Sequence, residues 1–434
     1  MNLAEARFFY RLVQLTISGD GSSLYGEIQI SFTFLVSFIH TVKQGWRDDM
    51  KIISREGDSL ECYSRLFQIP LELIQDANPQ TKKEKLLSGF EVKIPGFMLQ
   101  KETEMSMETA GRVYQLPLDA LYLVNGVQQS MNSPFLVPVR LIKPLIKTEK
   151  LYSSASLQKD LELLSTYYPF MKVETIGHSV LGKDIVEVQF GRGDSVVHYN
   201  GSFHANEWIT SAVLMKWLNE LLLSFTNESS SFLHLYHRVN ISIVPMVNPD
   251  GVDLVVLGDR AAEGKFNVRH INEGETEYYG WKANIRGVDL NNQFPANWQI
   301  EKERKLPKAE APRDFPGEIF LSEPEAIVMK QLAERRNFSK VIALHTQGKE
   351  IYWGYEGHEP EESERIAEEM ERQSGYRAVR YVDSHAGYKD WFIQEFKRPG
   401  FTVELGKGIN PLPLSQMPAI YREAVKILMV GLLL

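Results

Sequence analysis

The sequence predicts an α/β protein in which two small, related units precede a layered domain of about 280 residues. Beyond residue 157, apolar runs typical of strands, such as "VNISIVPMVN" and "KVIALHTQ", alternate with longer runs of helical periodicity. Alternation of this kind is typical of layered α/β domains. Before that point, residues 59–78 align without a gap with residues 106–125, which indicates an internal duplication with a period of 47 residues.

Length and composition limit the kinds of protein this can be. The chain has 434 residues, 43% hydrophobic and 24% charged, as expected for a globular protein of two or three domains. Its net charge of −8 argues against a nucleic-acid-binding surface. No run of about 18 apolar residues is present, so no membrane-spanning helix is expected. Cys62 is the only cysteine, so any bound metal must be held by histidine and carboxylate side chains.

Residues 1–49 differ in character from the rest of the chain. The apolar run "ISFTFLVSFIH" is similar to the middle of a signal peptide, but acidic and glycine-rich residues precede it and no small-residue cleavage site follows. Met50 stands directly before the first strand-like run. We therefore expect residues 1–49 to be a disordered extension or no part of the native protein.

Each repeat unit reads as strand, helix, proline break, helix and strand. In the first unit, residues 51–97, the landmarks are "GDSL", "IP", "AN" and a closing "IP". In the second unit, residues 98–143, the period of 47 places "PVRLIK" on "EVKIPG", so that "GD" and the closing "IP" are lost. A polar connector over residues 144–156 then leads into the large domain, residues 157–434.

These landmarks resemble LysM, a small domain that binds glycans containing N-acetylglucosamine. The second unit resembles a degenerate LysM. The resemblance implies a glycan partner, held chiefly by the first unit. The alternative is a pair of small modules that pack on the large domain and bind no sugar.

Three residues of the large domain suit a metal. His204 and Glu207 lie between a strand-like run and the helical run that begins at Ile209, and His345 ends the apolar run "KVIALH". Because strand ends face the ligand-binding crevice of α/β sheets, we expect the three side chains to converge. Two imidazoles and a carboxylate are typical zinc ligands, and three protein ligands leave a fourth position open, as in catalytic sites.

Two further residues are candidates for catalysis. Glu404 lies at an alternate position of the strand-like run "GFTVEL" and could act as general base. Arg286, in "WKANIRGVDLNNQFP", could stabilise a developing oxyanion. Each candidate alone has a structural alternative: a histidine in a turn, a carboxylate at a helix N-terminus, or a surface charge.

Five segments occur in the order typical of zinc carboxypeptidases, so that about residues 150–434 resemble this family: "HANEW", "VNPDG", "GVDLN", "ALH" and "FTVEL". The resemblance implies a mixed, eight-stranded sheet sandwiched by helices and one Zn²⁺. It also implies roles for particular residues: His204, Glu207 and His345 as zinc ligands, Glu404 as general base, and Arg286 as the arginine that polarises the carbonyl.

The chain departs from the family at its substrate-binding residues. Asn291–Asn292 stands where the family usually has "NR", and an amide lacks the charged, bidentate fork of arginine. Recognition of a free C-terminal carboxylate is therefore in doubt. Lys389 falls at the base of the specificity pocket with Asp390 beside it. A cation next to an anion suits a side chain that carries both an amine and a carboxylate, such as that of diaminopimelate.

The family's mobile tyrosine has Tyr381 as its nearest candidate, with Tyr388 and His385 as alternatives. Together with the LysM-like units, the chain resembles bacterial γ-D-glutamyl-L-diamino acid endopeptidases, which cleave peptidoglycan stem peptides. The alternatives are a metallocarboxypeptidase of ordinary peptides and a catalytically inactive, glycan-binding cell-wall protein. We expect a cytoplasmic or spore-associated location, with secretion to the cell wall as the alternative.

Overall fold

The computed structural model describes residues 49–81, 86–126, 134–227 and 230–434. They fall into two units. The first contains residues up to 144 with 163–171 and 222–233, and the second contains 145–162, 172–221 and 234–434. The expected extension over residues 1–49 lies outside the described residues, except that Asp49 begins the first strand. In the part of the chain that is described, no helix has the length and apolar character needed to cross a membrane.

The repeats form a three-stranded antiparallel sheet with two helices in each unit. The long strand β2 pairs with β1 along its first half and with β3 along its second half. Each repeat is therefore a βααβ unit, as predicted, and the two repeats share the continuous strand β2. The elements are β1 (Asp49–Ile53), α1 (Leu60–Phe67), α2 (Leu71–Ala77), β2 (Glu91–Glu102), α3 (Met107–Val113), α4 (Leu118–Asn125) and β3 (Phe135–Arg140).

The duplication is visible in the helix caps. The Oγ atoms of Ser59 and Ser106 accept hydrogen bonds from backbone N–H groups in the first turns of α1 and α3. Pro70 and Pro117 occupy the N-cap positions of α2 and α4. A serine at the N-cap satisfies a backbone donor, and a proline cannot continue the preceding helix, so these positions separate the two helices of each unit.

An asparagine ties the second helix of each unit to its last strand. The side-chain amide of Asn78 exchanges hydrogen bonds of 2.9 Å with the backbone of Lys93, and Asn125 does the same with Leu136 at 2.7 Å. Lys93 therefore corresponds to Leu136, which is 43 residues later. The ungapped alignment of "EVKIPG" with "PVRLIK" was thus wrong by four residues.

This shift restores the closing proline of the second unit. Counted from the asparagine contacts, Ile94–Pro95 corresponds to Val137–Pro138, and Ile94 and Val137 are both buried. The second unit therefore closes on Val-Pro in place of Ile-Pro, so its closing proline is present although the "IP" pair is not. The second unit has a shorter connection between its second helix and last strand, and an alignment without gaps cannot show a change of this kind.

The rest of the chain builds the predicted eight-stranded mixed sheet, with the strand order β10-β9-β11-β8-β6-β7-β5-β4. Its elements are α5 (Ser154–Tyr167), β4 (Lys172–His178), β5 (Asp184–Phe190), β6 (Ser195–Asn200), α6 (Ile209–Asn227), α7 (Ser230–Arg238), β7 (Val239–Val244), α8 (Pro249–Leu257), α9 (Val268–Ile271), α10 (Trp298–Arg304), α11 (Pro324–Arg336), β8 (Lys340–Thr346), β9 (Glu350–Tyr352), α12 (Glu362–Ser374), β10 (Arg377–Val379), α13 (Tyr388–Phe396), β11 (Gly400–Leu405) and α14 (Met417–Leu433). Helix α5 begins within the predicted connector.

Helices cover both faces of this sheet, as two adjacent residues of β6 show. On one face, the ring of His198 stacks on Phe338, just after α11, with ring centroids 4.3 Å apart, and lies edge-on to Tyr388 of α13 at 6.2 Å. Tyr199 points to the other face, where its ring meets Trp217 of α6 and its hydroxyl donates to the backbone of Leu428 in α14. Because neighbouring residues of a strand face opposite sides, both faces of β6 are buried.

The centre of the sheet positions the candidate site. Strands β7, β6, β8 and β11 are parallel neighbours, so their carboxyl ends meet at one edge. Every residue of β8 is buried, which is typical of a parallel strand covered on both sides. Polar residues at these strand ends therefore lie in the crevice where α/β proteins bind ligands.

Candidate metal centre and active site

The three predicted zinc ligands converge. His204 and Glu207 lie in the tight turn that follows β6, and His345 is near the end of β8. His204 Nδ1 lies 2.9 Å from Glu207 Oε1, and His345 Nδ1 lies 3.2 Å from His204 Nδ1 and 3.0 Å from Glu207 Oε2. This group of two imidazoles and one carboxylate, called the metal group below, could hold a metal ion.

The spacing of the donor atoms suits zinc. Ligands at bond lengths of about 2.0–2.1 Å in a tetrahedral arrangement are roughly 3.3 Å apart. The donor atoms of the metal group are separated by 2.9–3.2 Å, so a small expansion accommodates the ion. Three protein ligands leave a fourth position for water or substrate, which is the pattern of a catalytic site.

Asp289 orients one of the ligands. Its Oδ1 lies 3.3 Å from Nε2 of His204, and its side chain is almost completely buried. A ligand histidine usually donates its second N–H to a carboxylate, which directs the lone pair of the other nitrogen towards the metal. The sequence pattern did not predict this role, although Asp289 belongs to the "GVDLN" segment.

The electrostatic environment of the metal group favours a cation. Burial acts to lower the pKa of His204, but Glu207 and Asp289 raise it to about 9. Burial opposes ionisation of Glu207 as well, yet its cationic neighbours hold its pKa well below the usual range. The pKa of His345 is lowered, chiefly by burial, which keeps its imidazole neutral and able to bind a metal. Positive charge is therefore strongly stabilised between these side chains.

Lys282 is the cation that lies beside the metal group. Its Nζ is 3.3 Å from Glu207 Oε1. Arg286, which sequence analysis assigned to this place, instead pairs with Glu323 at 3.4 Å, and its side chain is 44% exposed. Four residues earlier in the same segment, Lys282 occupies the position next to the ligands, and the catalytic role expected of Arg286 stays a prediction.

Tertiary hydrogen bonds bring Lys282 to this position. The backbone N–H groups of Ala205 and Asn206 donate to the carbonyls of Lys282 and Trp281, at 3.0 and 3.1 Å. The indole of Trp281 is fully buried and donates to two backbone carbonyls of its own segment. These contacts join "WKAN" to the turn that carries His204. In the sequence, the one sign of them is the large apolar residue Trp281 next to Lys282.

Glu404 lies beside the metal group on β11. It is the direct strand neighbour of His345 on one side and of Glu350 on the other. Paired residues of adjacent strands point to the same face, so the three side chains share the catalytic face of the sheet. Burial, followed by the charges of Glu207 and Glu350, raises the pKa of Glu404 to about 8. A divalent cation at the metal group acts in the opposite direction, because it stabilises the carboxylate form.

The start of β11 lies close to Lys389. Gly400, Thr402 and Glu404 are alternate residues of this strand, so they share one face of the sheet. A Cβ on Gly400 would lie 3.2 Å from Cγ of Lys389, which places this lysine beside the first residue of the strand. Lys389 is buried, donates to the carbonyl of Gly354 at 2.8 Å and pairs with Asp390 at 2.7 Å.

The two asparagines lie between the metal group and α13. Asn291 Oδ1 accepts from the backbone N–H of Tyr388 at 3.2 Å, at the first residue of α13. Asn292 is buried, and its backbone N–H donates to the carbonyl of Asp289. Roles in substrate binding for these two residues, and for Lys389 and Asp390, stay predictions.

The three candidates for a mobile side chain lie in different settings. Tyr381 is 52% exposed, and its hydroxyl donates to Glu359 at 2.9 Å. Tyr388 is fully buried, and its ring packs against Phe203. His385 Nδ1 lies 3.1 Å from the hydroxyl of Tyr355. Exposure thus favours Tyr381 over Tyr388, and its role stays a prediction.

Solved structures share this fold. Carboxypeptidase A from Helicoverpa armigera matches with a TM-score of 0.51 and 18% identity, over 85% of this chain and 86% of its own. Bovine thrombin-activatable fibrinolysis inhibitor matches with the same TM-score and 18% identity, over 66% of this chain and 97% of its own. At such identities the comparison concerns the fold alone.

Sequence comparison is more specific. Gamma-D-glutamyl-L-diamino acid endopeptidase 1 of Lysinibacillus sphaericus is 45% identical over 397 residues, which are 89% of this chain and 100% of that protein. The uncharacterized protein YqgT of Bacillus subtilis (strain 168) is 38% identical over 91% of this chain and 98% of its own length. A family model described as zinc carboxypeptidase matches residues 157–426. With the ligand group in place, the chain belongs to the zinc carboxypeptidase family.

Proposed function

We propose that this enzyme hydrolyses the amide bond between the γ-carboxyl group of D-glutamate and an L-diamino acid in peptidoglycan stem peptides. The observation that carries the proposal is the convergence of the metal group with Glu404 and Lys282 at one sheet edge. The choice of bond rests on the endopeptidase of Lysinibacillus sphaericus, to which the chain is similar along that protein's full length.

The chain's own residues divide the catalytic work. Zinc, when bound by the metal group, supplies a Lewis acid that polarises the carbonyl and activates water. Glu404 accepts the proton of the attacking water and delivers it to the nitrogen of the leaving amine. Lys282 lies where a cation can stabilise the negative charge that develops on the carbonyl oxygen. Asp289 keeps His204 in the orientation that its role as ligand requires.

Selection of the diamino acid falls to residues beside β11 and α13. Asn292 lacks the charged fork with which arginine grips a C-terminal carboxylate, which disfavours an ordinary carboxypeptidase. Close to the start of β11, Lys389 and Asp390 place an ammonium beside a carboxylate. This pair complements the distal carboxylate and amine of diaminopimelate. We therefore favour a substrate whose leaving group is a diamino acid.

A comparison of two substrates tests the proposal. The tripeptide L-alanyl-γ-D-glutamyl-meso-diaminopimelate should be cleaved to L-alanyl-D-glutamate and free diaminopimelate, with products identified by mass. A hippuryl-type peptide with an ordinary C-terminal residue should be a poor substrate. Cleavage of the hippuryl peptide alone would assign the chain to the ordinary metallocarboxypeptidases. Failure to cleave either peptide with zinc bound would favour the inactive, glycan-binding alternative.

We also propose that the first LysM-like unit binds glycan containing N-acetylglucosamine. Its βααβ fold and its "GDSL" loop support this, because the loop is held firmly: Asp58 accepts from both Arg55 and Tyr63. Glycan binding would raise the effective concentration of stem peptide near the active site. Calorimetric titration of the full chain with an N-acetylglucosamine tetramer should show binding, and no detectable binding at millimolar sugar would exclude it.

A further inference from the structure

A second cation lies near the metal group, on the loop between α10 and α11. Arg313 follows Pro312, whose carbonyl accepts hydrogen bonds from the backbone N–H groups of Lys282 and Ala283, at 2.7 and 2.9 Å. Arg313 precedes Asp314, whose backbone N–H donates to Asp289 Oδ2 at 3.2 Å. The backbone of Arg313 is thus held between the segment that carries Lys282 and the carboxylate that orients a zinc ligand.

The guanidinium group of Arg313 is available to a ligand. Its Nε donates to Asp314 Oδ2 at 2.8 Å, and its side chain is 55% exposed. The other oxygen of Asp314 is taken by Lys305, also at 2.8 Å. Among the described residues, no hydrogen bond is made by the two Nη groups of Arg313. A terminal pair of guanidinium N–H groups is well suited to binding a carboxylate.

The residues assigned to the diamino acid have other contacts. Asn291 accepts a hydrogen bond from the first residue of α13, and Lys389 pairs with Asp390 within that helix. Arg313 is instead tied to the segment that carries Lys282 and to Asp289 through the backbone of its two neighbours, Pro312 and Asp314. It is therefore a candidate for a group of the substrate other than the diamino acid.

The proposed substrate has one anionic group that fits this place. In a γ-linked D-glutamyl residue, the α-carboxylate is free and lies on the acyl side of the bond that is cut. Four carbon–carbon bonds separate it from the reacting carbonyl carbon, or about 5 Å in an extended chain. An ordinary α-linked peptide carries no charge at this position. A cation near the acyl side can therefore distinguish γ-glutamyl substrates from ordinary peptides.

We propose that Arg313 binds the α-carboxylate of the D-glutamyl residue and makes the enzyme selective for a γ-linked acyl group with a free carboxylate. This inference rests on the proposed function and adds a subsite to it. Arg313 is a specificity-determining residue in this scheme, whereas Lys282 stabilises the negative charge that develops on the carbonyl oxygen.

Two tripeptides that differ in one group test the inference. One is L-alanyl-γ-D-glutamyl-meso-diaminopimelate, and in the other the α-carboxylate is replaced by a carboxamide. Wild-type enzyme should prefer the carboxylate peptide by kcat/KM. In Arg313→Gln, KM for the carboxylate peptide should rise about 10- to 100-fold, with little change in kcat. A rise of this size corresponds to the free energy of a hydrogen bond to a charged group. Cleavage of the amide peptide should be unchanged, which also shows that the variant folds.

The control is Arg372→Gln. Arg372 pairs with Glu369 on its own helix, α12, and its side chain is 57% exposed, close to the value for Arg313. This variant should keep the wild-type preference. Equal cleavage of both peptides by wild type, or an unchanged preference in Arg313→Gln, would overturn the inference and leave the proposed function standing. Cleavage of neither peptide by wild type would remove the proposed function and the inference together.

Discussion

Replacing Lys282 by methionine removes the cation beside the metal group and keeps an unbranched side chain of similar length. The Nζ of Lys282 lies 3.3 Å from a ligand oxygen of Glu207, so an oxyanion formed next to the zinc falls within reach of this ammonium. Removing one such donor typically lowers kcat about 10²- to 10³-fold, or about 2.7–4 kcal/mol of transition-state stabilisation. We expect Lys282→Met to show a loss of this size.

The matched comparison is Arg286→Gln. Arg286 is 44% exposed and pairs with Glu323 at 3.4 Å. Because this ion pair does not involve a metal ligand and an exposed pair contributes only about 0–1 kcal/mol to folding stability, the substitution should leave the fold intact and change kcat less than about fivefold. Lys282→Arg keeps the charge and should recover part of the lost rate. The assay is steady-state cleavage of the γ-D-glutamyl tripeptide, with zinc content measured for each variant to separate lost metal from lost catalysis.

The opposite result would refute this reasoning. If Arg286→Gln lost at least a hundredfold in kcat while Lys282→Met with full zinc content stayed near wild type, the carbonyl-polarising cation would be Arg286. The role proposed for Lys282 would then be wrong, and the role that the sequence predicts for Arg286 would stand.

Three further predictions concern the base, the outer ligand and the acid stability of the fold. Glu404→Gln should lower kcat about 10²- to 10⁴-fold with zinc retained, because it removes the general base, and near-normal turnover would exclude that role. Asp289→Asn should weaken zinc binding about 10- to 100-fold, measured by competition with a chelator, since His204 loses its orienting carboxylate, and unchanged affinity would contradict this. Burial holds the pKa of His198 at about 3, below the ordinary 6.5, so this residue stabilises the fold above pH 6.5 and loses that contribution as the pH falls towards 3. The free energy of unfolding, measured by urea denaturation, should therefore fall by up to about 1.4 kcal/mol per pH unit below pH 6.5 because of this group. His198→Phe should reduce that slope. Parallel curves for both proteins would show that His198 is not responsible.

The ungapped alignment of the two repeats is correct over their helices but not over their last strands. Ser59 and Ser106, and likewise Asn78 and Asn125, occupy equivalent positions because helix caps and helix-to-strand ties depend on short-range spacing. After the asparagine, the correspondence shifts by four residues, since the connection to the last strand is shorter in the second unit. The hydrogen bonds of the asparagine to the last strand, not the period of the repeat, show which residues are equivalent there.

In the active site, too, some positions could be predicted from the sequence and others could not. The chemical type of each ligand and its position at the end of an apolar run can be read locally, so His204, Glu207, His345 and the neighbouring Glu404 were predictable. The position of the cation was not, because Lys282 reaches the metal group through backbone hydrogen bonds with residues more than seventy positions away.

By itself, the amino-acid sequence determined the alternation of strands and helices, the duplicated N-terminal unit and the set of metal ligands, because hydrophobic periodicity and donor chemistry are local properties of the chain. Only the tertiary structure decided that Lys282 and not Arg286 stands beside the ligands, that Asp289 orients His204, and that Arg313 lies near both. These side chains belong to loops whose course depends on hydrogen bonds to distant backbone, and a loop's own residues do not specify such partners.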